Sequence, residues 1–387
     1  MQPNQKNRVA VSALFFVAGL CFASWASRIP DIRLKLGLSE GELGQLLLAM
    51  PVGSMLALPL AGWLVHTYGS RTVVLGAALL YAAFLPLLGW ATDFWTAAVA
   101  LAFFGAAGNL INISVNTQAI GVQDVYGRPI MGSFHGLWSL AGFLGGALGA
   151  LLIGWGQTPL THFLLVAAVC AFLTLAANRH TLQHESNDST GSSGLTLRRP
   201  DPYLLRIGLI ALCGMLCEGC MFDWSGVYFQ KVVHAEKAMV ASGYVACMST
   251  MALGRFVSDY CTHRFGATRM MQISSLLITI GLLLAVAFPY LVPSLIGFLL
   301  VGFGIASVTP LSYSAAGRAT TVSPGVALAV VSTLGYLGFL FGPPLIGLLA
   351  EAFSLRVSFT LVAVMGMLVG ILSAVGAAKG KAQPVEA

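Results

Sequence analysis

Twelve long apolar segments run along this chain, and they constrain its fold more than any other feature. They lie at 9–28, 43–66, 71–92, 94–120, 129–155 and 160–178, and then at 204–228, 238–263, 270–290, 293–316, 322–349 and 354–377. A helix needs about 20 apolar residues to cross the hydrocarbon core of a bilayer. The sequence therefore predicts an all-α membrane protein with twelve transmembrane helices.

The composition supports this prediction and excludes a water-soluble protein. Hydrophobic residues make up 57% of the 387 residues and charged residues only 9%, whereas soluble proteins contain about 25% charged residues. The first segment is long enough to span the bilayer and is followed by eleven similar segments, so we interpret it as a membrane span rather than a signal peptide. The 44 glycines suit closely packed membrane helices.

One polar stretch, 179–203, divides the segments into six and six. It is rich in Ser, Gly, Asp and Asn and shows no apolar periodicity, which is typical of a flexible linker. We therefore expect an N-terminal six-helix bundle in residues 1–178, a cytoplasmic linker, and a C-terminal six-helix bundle in residues 204–387.

The distribution of Lys and Arg predicts the orientation. With the N-terminus inside, fourteen of the 20 basic residues fall on the cytoplasmic side, and six fall outside: Arg28, Arg33, Lys35, Lys231, Lys237 and Arg356. This bias follows the positive-inside rule and places both termini in the cytoplasm of a bacterium, with the chain in the inner membrane. No basic cluster exceeds Arg198-Arg199, so the net charge of +6 does not indicate a nucleic-acid partner.

The two halves contain matching short motifs. Gly142-Phe143-Leu144 recurs as Gly338-Phe339-Leu340, and the loops after the second and eighth segments share spaced glycines and basic residues: Gly62, Gly69 and Arg71, then Gly254, Arg255, Asp259, Arg264 and Gly266. Six-helix repeats in parallel orientation are characteristic of one transporter architecture.

These loops resemble the Gly-x-x-x-Asp-Arg-x-Gly-Arg motif of the major facilitator superfamily. The first loop departs from it, since His66 stands where the family has Asp, and the second keeps Asp259. The resemblance implies a secondary transporter that works by alternating access, with a cytoplasmic gate. It assigns gating roles to Arg71, Arg255, Asp259 and Arg264.

Within that superfamily, the chain is similar to the YbjJ-like bacterial permeases, which include rhizopine-transport-like proteins. The residues that carry this are Ser27-Arg28-Ile29-Pro30, Gly108-Asn109, Ser133-Phe134-His135-Gly136, Glu218 and Asp223-Trp224. The group often has an acid where Asn112 stands here, so proton coupling through helix four would lack one group. The resemblance gives no ligand.

Two acids within the seventh segment are the candidates for proton coupling. An ionisable side chain at mid-bilayer is costly and commonly functional. Glu218 has no Lys or Arg within four residues, and we expect it to be the principal coupling group; Asp223 lies about 140° around the helix. The alternative is a structural carboxylate, for example one paired with Arg28.

Several polar and aromatic side chains are candidates for solute binding. Asn109, Asn112 and Asn116 share one face of the fourth helix and could bind hydroxyl or amide groups, or could join helices. His135 could be a second coupling site or a neutral hydrogen-bonding group. Arg28 could bind an anion, although pairing with Asp31 is favoured. The aromatic candidates are Trp25, Trp138, Trp224, Tyr313 and Tyr336.

Neither a metal nor a cofactor is expected, and no enzyme motif is present. Cys213, Cys217 and Cys220 have the spacing of some iron–sulfur motifs, but on a membrane helix we interpret them as a packing stripe. The chain lacks a Walker loop, a His-Glu-x-x-His motif and a nucleophile elbow.

The sequence therefore predicts a secondary transporter, expected to be monomeric, that moves a small polar solute coupled to protons. Pro310 and Gly342-Pro343-Pro344 could form gating kinks. The alternatives are an exporter of a drug or metabolite and, less favoured, a non-transporting receptor.

Overall fold

The structure is a computed structural model that describes residues 3–127, 130–182, 201–317 and 324–380. In these ranges it contains twelve α-helices, each long and apolar enough to cross a membrane. They are α1 (Pro3–Leu36), α2 (Glu40–Tyr68), α3 (Ser70–Trp90), α4 (Phe94–Tyr126), α5 (Met131–Gly154), α6 (Pro159–Asn178), α7 (Pro202–Lys231), α8 (Ser242–Phe265), α9 (Ala267–Ala287), α10 (Leu291–Gly317), α11 (Pro324–Ala352) and α12 (Leu355–Gly380). The predicted all-α fold and the twelve spans are confirmed.

Polar capping residues, rather than the apolar pattern, determine where several helices begin. The Ser39 side chain accepts a hydrogen bond from the Glu42 backbone N–H, and the Glu42 carboxylate accepts one from the Ser39 N–H at 2.8 Å. This reciprocal capping satisfies two N–H groups at the start of α2. Helix α1 continues to Leu36, eight residues beyond its predicted apolar segment, and so carries Arg28 and Arg33 on helical backbone.

The described chain forms two compact units. Unit 1 contains α1–α6 together with Ala235–Val245, and unit 2 contains α7 and the remainder of α8–α12. Residues 183–200, which are most of the predicted linker, lie outside the described ranges, and the linker assignment stays a prediction.

Helices in unit 1 approach each other closely through glycine. A Cβ on Gly53 of α2 would overlap the Ala102 carbonyl of α4, and a Cβ on Gly105 of α4 would overlap the Met50 carbonyl of α2. Helix α1 packs on α5, where the Phe15 and Phe134 rings stack with centroids 5.5 Å apart. Such backbone contacts replace the hydrophobic driving force that is missing between helices in lipid.

Unit 2 repeats this arrangement with α7 on α11 and α8 on α10. A Cβ on Gly338 of α11 would contact the Leu212 carbonyl at 2.5 Å, and one on Gly302 of α10 would overlap the Cys247 carbonyl. On α7, the Tyr228 ring also lies 4.3 Å from the Phe359 ring of α12.

The loops that suggested an internal repeat have the same backbone conformation. Gly69 joins α2 to α3 with φ 77° and ψ 150°, and Gly266 joins α8 to α9 with φ 82° and ψ 152°. Side chains other than glycine rarely adopt these angles, so glycine is needed at both turns. Two equivalent turns at equivalent places support the repeat that the sequence predicts.

Candidate functional site

The Glu218 carboxylate forms an ion pair with an arginine of the neighbouring helix. Arg255 Nη2 of α8 lies 2.9 Å from Glu218 Oε1 of α7, and their side chains are 20% and 8% exposed, respectively. Counting 1.5 Å per residue, Glu218 lies about 20 Å from the C-terminal end of α7 and Arg255 about 15 Å from that of α8. The pair therefore lies well inside both spans.

Glu218 has no Lys or Arg within four residues along the chain, but this pair gives it a cationic partner on the neighbouring helix. The partner is 37 positions away in sequence, and it is Arg255 rather than Arg28. Neighbouring positions on one helix could not reveal a contact between two helices. The pair also changes the interpretation of Arg255, which was expected to act at a loop gate and here neutralises a buried acid.

Two of the predicted aromatic residues are linked electrostatically to this ion pair. Tyr313 of α10 interacts with Glu218, and it also interacts with Ser332 and Tyr336 of α11. Tyr336 is 40% exposed. We call Glu218, Arg255, Tyr313, Ser332 and Tyr336 the Arg255 cluster; four of these five are sequence-predicted site residues, and Ser332 was missed.

Asp223, one and a half turns further along α7, differs from Glu218 in its contacts. It is 7% exposed and forms neither a hydrogen bond nor an ion pair with another described residue. An ionised carboxylate without a partner is costly in an apolar surrounding, so Asp223 needs a proton or a cation. The adjacent Trp224 is fully buried, and in this conformation it has no surface to offer a solute.

Two of the other predicted gating residues, Arg264 and Arg71, lie apart from the Arg255 cluster along their helices. Arg264 is exposed in the last turn of α8, about 13 Å along the helix from Arg255. Arg71 is partly exposed in the first turn of α3. The Asp259 side chain lies outside the described part of the structure.

In unit 1, Arg28 is buried, and we call this residue together with its partners Asp31 and His162 the Arg28 network. Arg28 is 1% exposed; its Nη1 lies 2.6 Å from Asp31 Oδ2, and its Nε donates to His162 Nδ1 of α6 at 3.2 Å. Because Nδ1 accepts, the His162 ring is neutral with its proton on Nε2. The favoured expectation that Arg28 pairs with Asp31 is thus observed, and burial leaves Arg28 no surface for a solute.

His162 is a polar residue that the sequence interpretation missed. It is fully buried on α6, and its Nε2 has no partner among the described residues. The signal that could have found it is an imidazole in the first turns of an apolar span, the same signal that singled out His135.

The three asparagines of α4 do not behave alike. Asn116 Nδ2 donates to Asn112 Oδ1 at 2.9 Å and to the Asn112 carbonyl at 2.7 Å. Asn112 is exposed near the middle of the helix, whereas Asn109 is 7% exposed and its Oδ1 has no partner among the described residues. Gln118, further along α4, donates from Nε2 to Ser70 Oγ of α3 at 2.7 Å.

His135 and Trp138 of α5 both contact α1. The His135 ring meets Phe15 edge-on with centroids 5.2 Å apart, and the Trp138 ring lies 5.9 Å from Phe22. His135 is exposed and Trp138 half-buried. Both side chains therefore keep some surface that a solute could reach.

The cysteines of α7 are buried in helix contacts. Cys213, Cys217 and Cys220 are at most 4% exposed, and Cys217 Sγ lies 3.5 Å from the Val362 carbonyl of α12. Among the described residues, His, Cys, Asp and Glu form no group of three or more that could hold a metal ion.

Known proteins resemble this chain over nearly its whole length. An uncharacterized MFS-type transporter of Yersinia pestis is 35% identical over 365 residues, 94% of each chain. Membrane protein MosC of Rhizobium meliloti is 32% identical over 372 residues, 94% of this chain and 88% of MosC. A crystal structure of a mutant of the nucleoside transporter NupG superposes with a TM-score of 0.77 at 14% identity and covers 95% of this chain and 98% of NupG, which shows the shared fold.

The family comparison agrees with these relatives and with the twelve helices. The sequence model of the Major Facilitator Superfamily matches residues 11–323 and 236–385. The relatives are transporters or membrane proteins and not enzymes, as the absence of enzyme motifs predicted. This chain therefore belongs to the Major Facilitator Superfamily and is a multi-pass membrane transporter.

Proposed function

We propose that the protein carries a small polar solute across the bacterial inner membrane, coupled to protons, and that Glu218 is the coupling group. The observation that carries this proposal is the Glu218–Arg255 ion pair, which joins α7 to α8 well inside the spans. Removing two charges from water costs several kcal/mol per ion, and a hydrophobic pair would often be at least as stable. Such a pair within a membrane span therefore suggests a functional role.

Protonation gives this pair two states. With Glu218 ionised, the charges cancel and Arg255 is held on Oε1; with Glu218 protonated, the attraction is lost and Arg255 can bind another acceptor. A coupling group needs this property: a contact must change its partner when one proton binds or leaves. Asp223, which has no hydrogen-bond or ion-pair partner among the described residues, is a second position where a proton could bind.

Separate groups in unit 1 support a polar solute. Asn112 is an exposed amide near the middle of α4, where contact with lipid would be unfavourable, so we propose that it lines a hydrated cavity. Asn112, Asn116, His135 and Trp138 are the proposed solute contacts in this unit. Arg28 and Asn109 are too buried to be first choices.

Proteoliposomes containing the purified transporter test the coupling. Untargeted metabolite exchange, with and without a pH gradient, should identify a solute that accumulates only with the gradient, and the sign of the response gives the direction of transport. Glu218→Gln keeps the side-chain shape but cannot titrate, so accumulation should be lost while gradient-free exchange survives. Accumulation by this variant with normal pH dependence would reject Glu218, and Asp223→Asn would then be expected to show the loss.

The proposed orientation has its own test. A reporter placed after Lys381 or within 179–203 should show cytoplasmic activity, because the positive-inside bias puts both positions there. Periplasmic activity at either position would overturn the assignment of sides.

A further inference from the structure

We infer that the Arg28 network contains a water-binding site, in which one water molecule accepts hydrogen bonds from Arg28 and His162 and so joins α1 to α6. The site is independent of the proposed function, because it involves neither the Glu218–Arg255 pair nor the transported solute. Support comes from two buried donors, from an acceptor beside them, and from the charge and size of the ligand that they admit.

Two nitrogen donors of the Arg28 network have no hydrogen-bond acceptor among the described residues. They are Arg28 Nη2 and His162 Nε2, on side chains that are 1% and 0% exposed. Nearly all buried N–H groups in folded proteins are hydrogen-bonded, and an unpaired one indicates a bound water or ion. Both nitrogens therefore need an acceptor that the neighbouring side chains do not supply.

The two donors belong to groups that are in direct contact. Arg28 Nε donates to His162 Nδ1 at 3.2 Å, so the guanidinium and the imidazole meet edge to edge. Nη2 is two covalent bonds from Nε, and Nε2 is two covalent bonds from Nδ1. Because Nδ1 accepts, the ring proton is on Nε2, which makes that nitrogen a donor. One small acceptor beside this contact can therefore serve both groups.

A third polar group lies next to the imidazole, at Gly149 of α5. A Cβ on Gly149 would overlap Ser27 Oγ and would lie 3.5 Å from His162 Cε1, the ring atom between the two nitrogens. Ser27 Oγ donates its proton to the Ser24 carbonyl at 3.0 Å, which leaves its lone pairs as acceptors. A water that accepts from Arg28 and His162 can thus donate to Ser27. Buried waters typically make about three such hydrogen bonds.

The charges of the network favour a neutral ligand over an anion. Asp31 Oδ2 lies 2.6 Å from Arg28 Nη1 and neutralises the guanidinium, and His162 is neutral because its Nδ1 accepts a hydrogen bond. A chloride ion would give this buried group a net negative charge, which is costly away from water. A water molecule satisfies the same donors without adding charge.

Burial restricts the ligand to the size of water. Ser27, Arg28 and His162 are at most 2% exposed. Asp31 is 19% exposed and marks the side on which the network approaches solvent, where a water can exchange. A solute of several heavy atoms does not reach donors that are covered in this way, so the site hydrates the protein and does not bind the transported solute.

An experimental structure of the full chain, at a resolution that shows ordered water, tests the site directly. Density for one water should lie about 2.7–3.2 Å from both Arg28 Nη2 and His162 Nε2. The protein should be purified in bromide in place of chloride, so that a bound anion gives an anomalous bromine signal. A bromine signal at this position, or a map that has no peak there, would overturn the water site.

Solid-state NMR of the protein in bilayers, with labelled histidine, gives a second readout. The Hε2 proton of His162 should show a cross peak to water. His162→Phe should delete this signal and thereby assign it, whereas His135→Phe should keep it. An Hε2 signal without a contact to water, or a ring protonated on Nδ1, would contradict the inference. The density map needs no variant and decides the question if His162→Phe fails to fold.

A matched pair of serine variants tests the acceptor. Ser27→Ala removes the hydroxyl beside the imidazole, so the cross peak from His162 to water should weaken at least about twofold. Ser24→Ala removes another buried hydroxyl of α1, one that donates to the Leu20 carbonyl, and should leave the cross peak unchanged. An unchanged cross peak in Ser27→Ala, or equal weakening in both variants, would overturn the placement of the water against Ser27.

Discussion

Arg28 of unit 1 and Arg255 of unit 2 each form an ion pair with an acid, and the two arginines are held in different ways. Arg28 of unit 1 is 1% exposed and binds Asp31, one turn away on the same helix, as well as His162 of α6. Arg255 of unit 2 is partly exposed and binds Glu218 on another helix. Arg28 therefore meets its acid within one helix, whereas Arg255 meets its acid between two helices.

This difference suggests a structural role for one arginine and a switching role for the other. Residues at i and i+3 move together with their helix, so no relative movement of helices can separate Arg28 from Asp31. The pair of Arg255 and Glu218 depends on the positions of both α7 and α8, and the Arg255 side chain is 20% exposed. We therefore expect the Arg28 network to affect stability and the Arg255 cluster to affect the pH dependence of transport.

The largest effect is expected for Arg255→Gln. Removal of one partner of a buried pair leaves the other charge uncompensated, at a cost of about 3–5 kcal/mol in the free energy of unfolding. The double variant with Glu218→Gln should recover most of this loss, because neither charge remains. Chemical denaturation of the purified single and double variants measures both quantities. If the double variant is as unstable as Arg255→Gln, the loss comes from packing and not from charge.

Arg28→Gln should have the second largest effect, about 2–3 kcal/mol of destabilisation. The loss is smaller because the Asp31 side chain, 19% exposed, is partly solvated. Transport per folded molecule should keep its normal pH dependence, measured in proteoliposomes over a pH series. A shifted pH profile in this variant would contradict the structural role of Arg28, because the Arg28 network would then take part in coupling. Asp31→Asn is the matched control.

Hydropathy predicted the twelve helices because a span must be apolar along its whole length, and that property is local in sequence. The ends of α1 and α2 were missed because capping by Ser39 and Glu42 and a helical extension carrying Arg33 are not apolar features. The intramembrane acids could be identified as exceptions to the apolar pattern. The residues that pair with them could not be identified from that pattern.

The contacts that define the candidate site join distant positions. Glu218 and Arg255 are 37 residues apart, and Arg28 and His162 are 134 apart. No spacing on one helix encodes such a pair, and either acid of α7 could have been the unpaired one. The structure assigns the ion pair to Glu218 and leaves Asp223 without a described partner.

Asn112→Ala should weaken solute binding about tenfold or more, equivalent to 1–3 kcal/mol, with little change in stability. Asn112 is exposed and its amide oxygen accepts only from Asn116 among the described residues, so its loss leaves no buried group unpaired. Asn109→Ala is the buried control on the same helix. Solute binding measured in the two variants distinguishes a solute-binding asparagine from a buried one in unit 1. Reduced stability with unchanged affinity in Asn112→Ala would show that this asparagine joins helices instead.

The smallest effect is expected for Asp93, an exposed carboxylate that is stabilised by hydrogen bonds and not by a cation. It caps α4, and its pKa is lowered by hydrogen bonds from the Thr96 backbone and side chain and from the Trp95 N–H. A lowered folded pKa means that the carboxylate stabilises the helix start above its ordinary pKa of about 3.9 and loses that effect as the pH falls through the folded value. The first turn of α4 should therefore fray below about pH 4 in the native protein. In the variant Asp93→Asn, the asparagine caps the helix but does not titrate. In acid, the amides of residues 94–97 should therefore exchange more slowly in the variant than in the native protein at the same pH. Equal exchange of the two proteins at every pH would contradict this, and it would mean that the ionisation of Asp93 does not stabilise the start of α4.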